Sequence, residues 1–181
     1  MKQIITKKHR LLLHEYGGKK KVAFTVVEKE RRKMFVTENM FVQMENILKQ
    51  VMRERKCWGR IYMFMPDHAH LIIEGCDEES NVKKCMDLFK QKSGYWLSQN
   101  KIAFRWQHDY YDHIIRSQDE LRRQIKYVLN NPVHGGIVDS WHEYRYWGTE
   151  VLARERIMEM LRRYGEKFVV DFVTDFKFTG G

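Results

Sequence analysis

Proline is scarce in this chain, with two among 181 residues, Pro66 and Pro132. No segment repeats and none is low in complexity, so the chain reads as one unit with no internal domain boundary. Cysteine is scarce as well. Cys57, Cys76 and Cys85 are odd in number and form no Cys-x-x-Cys pair, which argues against a zinc knuckle; they read as free thiols in a reducing cytoplasm. No apolar run approaches the ~20 residues that span a bilayer, so no membrane is expected. Leu11 to Leu13 are too few to make the apolar segment of a signal peptide.

What is present is core and positive charge. Hydrophobic residues make up 43% of the chain, enough for a single compact domain. Lys and Arg number 33 against 24 Asp and Glu, for a net charge of +9 and a pI of about 9.4. A basic surface favours a polyanion, nucleic acid being the commonest, although ribosomal and membrane-surface proteins share the bias. Aromatic residues, 13% of the chain, supply stacking partners for unpaired bases as well as core.

Along the chain, residues 1–21 form a basic extension that includes Lys19, Lys20 and Lys21, either a solvated tail or an arm for phosphates. The stretch 22–147 reads as the core, and 148–181 as a C-terminal helix and tail. Val22 to Val27 is β-branched and bounded by charge, as a strand is. Thr37 opens a helix to about Arg55, with Phe41, Met44, Ile47, Leu48 and Val51 on its apolar face. Arg60 to Met65 and His68 to about Glu74 read as strands joined by a turn at Pro66. Asn81 to Ser98 is a second helix, Phe104 to Gln107 a short strand, and Tyr111 to Ile115 its extension or partner. Strand, helix, strand, strand, helix, strand is the ferredoxin-like split βαβ arrangement. It is an α+β fold with an antiparallel sheet and both helices on one face. Trp141, Tyr144, Tyr146 and Trp147 read as a satellite aromatic cluster. Glu150 to Tyr164 reads as a helix, and Phe168 to Phe172 as a strand.

The chemistry concentrates in Met65-Pro66-Asp67-His68-Ala69-His70-Leu71. Alternate residues of a strand face the same way, which sets His68 and His70 side by side, roughly 7 Å apart at Cα, with Ala69 toward the core. Two neutral imidazoles aimed at one spot make two corners of a metal site; they are equally the pattern of polar residues on a wet strand face. A second element follows at Ser117, where Ser117 and Glu120 form a capping box. Leu121, Ile125, Val128 and Leu129 recur at helical spacing, and Pro132 is expected to end the helix. Gln124, Tyr127 and Asn131 share a face beside that apolar stripe.

His-x-His on a strand, followed by a helix with Tyr127-x-x-x-Asn131, resembles the single-tyrosine transposases of the HUH endonuclease class. With Trp106-Gln107, Tyr111-Asp112-His113 and Asn131-Pro132-Val133 added, the chain is most similar to their REP-associated tyrosine transposase branch over residues 22–147. Ala69 is smaller than the residue usually found between the histidines, which costs packing and leaves the ligands intact. The resemblance implies that His68, His70 and Asn131 hold a divalent cation, magnesium or manganese, and that Tyr127 is the nucleophile. It implies an added helix carrying that tyrosine across the open sheet face, with Gln124 in support. It implies a single-stranded or hairpin DNA partner for a cytoplasmic, nucleoid-associated protein, and is compatible with a homodimer, since some members exchange the tyrosine helix.

A phosphodiester repels nucleophiles, and a cation held by two imidazoles and an amide would neutralise that charge while keeping positions open for phosphate. Attack by Tyr127 would then leave a 5′-phosphotyrosine and a free 3′ hydroxyl. Arg105, Arg122, Arg123 and Lys19 to Lys21 are candidates for phosphate contacts, and Trp106 for base stacking. Tyr110, Tyr111, His108 and His113 are the competing nucleophiles and ligands. Two other classes fit the composition: a non-catalytic nucleic-acid binder on the same sheet, and a metal-dependent RNA-processing enzyme.

Overall fold

The computed structural model of the chain describes residues 12–177. Nine elements carry the fold. They are β1 (Lys21–Val27), α1 (Glu38–Glu54), β2 (Cys57–Met65), β3 (His68–Gly75), α2 (Val82–Gln99), β4 (Tyr111–Ile115), α3 (Gln118–His134), β5 (Trp147–Gly148) and α4 (Arg154–Asp175). The sheet order is β4-β1-β3-β2-β5 and every pairing is antiparallel. This is the expected α+β class: β4-β1-β3-β2 is the ferredoxin-like order, and β5 is a two-residue addition beside β2.

Local chemistry sets the helix starts. Thr37, Asn81 and Ser117 each sit in extended backbone, and their side chains accept from Met40, Lys84 and Glu120 N–H at the first turns of α1, α2 and α3. Helices α1 and α2 cover one sheet face through Met44, Leu48, Val51, Met86 and Phe89. These pack on Val22, Phe24, Val26, Phe64, Leu71 and Ile73. The other face is not left open. Helices α3 and α4 lay Leu121, Ile125, Leu129, Val169, Val170 and Val173 against Ile61, Met63, Met65 and Ile72. All of β2 is therefore buried, and its run from Ile61 to Met65 lacks the alternation of a half-wet strand.

Four local expectations are corrected. Phe104 to Gln107 is no strand. It touches the sheet by one bridge, Glu28 to Trp106, and the Trp106 side chain donates to Ser93 Oγ of α2 at 2.8 Å. Helix α3 does not stop before Pro132 but runs to His134, with the Pro132 ring buried and Gly135 N–H closing on Asn131 O at 2.8 Å. Phe168 to Phe172 is helical, the second half of α4 beyond a break at Gly165, whose φ of 80° favours glycine. Trp141, Tyr144 and Trp147 belong to the α3–α4 core, where Tyr144 Oη donates to Phe64 O at 2.7 Å.

Arg60 fastens that second layer. Its buried guanidinium donates to the Val173, Thr174 and Phe176 carbonyls at 2.6, 2.9 and 3.0 Å, and pairs with Glu74 at 2.6 Å. A cation thus meets the carbonyl-rich end of α4, where the helix dipole is negative.

Candidate active site

Register decides which residues face α3. His70 lies between Thr25 of β1 and Met63 of β2, and His68 between Val27 and Met65. Met63, Met65 and both imidazoles thus look toward α3, while Ala69 joins the α1–α2 core. The two Nε2 atoms stand 3.1 Å apart. Donors about 2.1 Å from one cation and about 90° apart are separated by about 3 Å, so the pair fits two adjacent positions of one octahedral ion.

Each outer nitrogen has its own partner. Asp67 Oδ1 accepts from His68 Nδ1 at 2.6 Å, which puts the proton on Nδ1 and leaves the Nε2 lone pair bare. His70 Nδ1 meets Thr25 Oγ1 at 2.9 Å. Arg31 in turn donates to Asp67 Oδ2 at 3.2 Å. Burial pushes His70 down to about 3, with the neighbouring His68 adding to the effect and the hydrogen bond to Asn131 opposing it. Burial also lowers His68, against the pull of Asp67. Both rings are neutral near pH 7, as ligands must be.

Helix α3 brings Tyr127 over the pair. Its ring stands edge-on to His70 with centroids 5.5 Å apart, and half of the residue remains exposed. One turn later the Asn131 amide donates to Tyr127 O at 2.8 Å, and its side chain also hydrogen-bonds with His70. Gln124 is half-buried one turn before Tyr127, on the same helix face. Among the described residues no three His, Cys, Asp or Glu side chains gather into a metal cluster; the group that joins the imidazoles is an amide. His113 is elsewhere, bound to Glu120 at 2.6 Å, and His108 is exposed beside Asp109.

The proposed phosphate grips do not converge here. Arg122 is held by Asp171, Asp119 and Asp175 at 2.8, 3.1 and 3.8 Å, so its charge ties α3 to α4. Arg123 is exposed on α3. Lys21 opens β1 and pairs with Glu74 at 2.9 Å. Lys19 and Lys20 are exposed at that same end, about 20 Å along the strand from Val27 and His68. Trp106 packs on Phe35 and Phe89 on the opposite sheet face, with Arg105 exposed beside it. The basic residues of 1–11 lie outside the described residues. Thr25, Asp67 and Arg31 escape a sequence reading because their roles depend on strand register and on the β2–β3 turn. Only the adjacency of Asp67 to His68 offered a signal.

A family model described as IS200-like transposase matches residues 18–131, from just before β1 to Asn131. A curated Haemophilus influenzae protein named for the REP-associated tyrosine transposases is 23% identical over 134 residues, covering 68% of this chain and 76% of its own. A solved structure of a REP-associated tyrosine transposase bound to a REP hairpin superposes with a TM-score of 0.67 at 20% identity. It covers 79% of this chain and 82% of that one, a likeness of fold.

Proposed function

Since the chain belongs to the IS200-like transposase family, we propose that it cuts and rejoins single-stranded DNA beside a folded hairpin, with Tyr127 as nucleophile. The observation that carries this reading is the approach of the Tyr127 ring to His70, 5.5 Å between centroids, within one chain. The hairpin partner is supported by the DNA held by the solved relative.

His68, His70 and Asn131 would hold a divalent cation, magnesium or manganese. Bound there, it would neutralise the phosphate charge and polarise the scissile phosphodiester. Asp67 and Thr25 keep the imidazoles turned with Nε2 inward. Asn131 fixes the last turns of α3, and Gln124 flanks the phenol. The Tyr127 oxygen bonds to phosphorus and the bond to the 3′ oxygen breaks. The phenolic proton is lost to solvent, and the departing oxygen takes one up as a 3′ hydroxyl. One phosphoester replaces another, so a later 3′ hydroxyl can reverse the step without ATP. The aqueous side of the half-exposed ring is where a strand can enter.

Labelled hairpin DNA with a single-stranded flank, incubated with manganese and then denatured, should give a slower band that EDTA abolishes. Tyr127→Phe should lose that band by a factor of at least about 10². A band that persists in Tyr127→Phe would falsify the assignment. DNA binding without any band would leave a binder, and RNA cleavage without a band an RNA-processing enzyme.

A further inference from the structure

On the sheet face away from the histidines, two depressions of about 340 and 380 Å³ meet end to end between α2 and the 101–108 segment. They share Gly94, Phe104 and Arg105. Each is the size of a small-ligand site, and together they make a groove. Lys90, Lys101, Arg105 and His108 line it, and among the described residues no Asp or Glu does. Lys90 is spent on the Gln107 and His108 carbonyls at 2.8 and 2.7 Å, so it shapes the wall. Among the described residues no carboxylate pairs with Arg105 or Lys101, and Arg105 is exposed.

Two further features of α2 bear on it, one in its lining and one beside it. Gly94 stands inside α2, where glycine costs about 1 kcal/mol relative to alanine. A Cβ there would meet no atom within 4 Å, so nothing in the chain requires the missing side chain. Its effect is to keep the groove floor low. Next to it in sequence Tyr95 is 66% exposed; it does not line either depression, but four residues after Gln91 and three before Ser98 it shares a side of α2 with two residues that do. An uncovered phenol ring, a low floor and unpaired cations without acids suit a strand whose bases are unstacked.

We propose that this groove holds a single-stranded DNA segment, with Tyr95 stacking on a base and Arg105 and Lys101 on phosphates. The proposal rests on the reading above that the chain acts on DNA, and places a second contact away from the reacting centre. The route between them is short. Gln107 N–H donates to Val27 O at 2.8 Å and Glu28 N–H to Asp67 O at 2.8 Å. The groove's inner end is therefore fastened to the sheet end that carries His68. A flank leaving the histidines can turn round that end into the groove.

The probe is a labelled oligothymidylate about 16 nucleotides long, with a duplex of equal length beside it, read by anisotropy in EDTA so that no cleavage intervenes. Tyr95→Ala should weaken single-strand binding about 10-fold. Arg105→Glu with Lys101→Glu should lower the slope of log affinity against log salt by about 1.4, two contacts at about 0.7 each. Gly94→Leu fills the floor and should weaken binding without lowering the melting temperature. Unchanged single-strand affinity in all three folded proteins overturns the proposal, as does an equal loss for the duplex. Groove-dependent binding without a phosphotyrosine band sinks only the catalytic reading; a band with groove-independent binding sinks only this one.

Discussion

Asp67 has both carboxylate oxygens committed, one to His68 at 2.6 Å and the other to Arg31 at 3.2 Å. Its charge is therefore held between a guanidinium and the imidazole it orients, and these partners keep the carboxyl low despite partial burial. Asp67→Asn keeps the shape and removes the charge. It should weaken manganese binding about 10- to 100-fold by calorimetry, the range for partners of metal-bound histidines, with little change in melting. Equal affinity would remove Asp67 from the site. The histidine pair is legible in the sequence because strand alternation is local. Its supports are not, since Thr25 lies 45 residues before His70 and meets it only through the β1–β3 register. The same limit hides the ties of Arg122, two of whose three acidic partners sit on a helix about fifty residues later.

At the level of elements, α3 is announced by its Ser117 cap and its apolar stripe, and both hold. Its end is misread because a proline that removes one N–H need not stop a helix whose last turn is packed: Pro132 is buried and Gly135 closes the turn. The strand expected at Phe168 to Phe172 fails for a related reason. Its β-favouring residues are used at helical spacing, with Val169, Val170 and Val173 turned into the core. That half of α4 depends on Arg60. Arg60→Met should cost about 3 kcal/mol in a urea melt, because three carbonyls and Glu74 lose a buried cation. Lys21 remains beside Glu74 and holds the loss to the lower end of the range. A neutral substitution would show that α4 docks through its valines alone.

For the molecule as a whole, the ferredoxin-like core is legible because its helices and strands alternate in a known order. The second layer is not, since neither α4's course nor the burial of Trp141 and Trp147 leaves a periodic trace. Within one chain the Tyr127 ring stands against His70, and the reading proposed above is that each copy acts with its own tyrosine. Mixing Tyr127→Phe with a His68→Ala, His70→Ala protein should not restore a covalent band at any ratio, and wild-type yield should scale linearly with concentration. Recovery in the mixture would mean that α3 is traded between copies.

The lateral strands carry a last consequence. β4 has five residues and β5 two, so the backbone ribbon stops short on both flanks. Stubs of that length give a neighbouring chain almost no unpaired amides to zip onto. Edge-to-edge pairing between copies then has little backbone to grow from, whatever the strongly basic surface gathers.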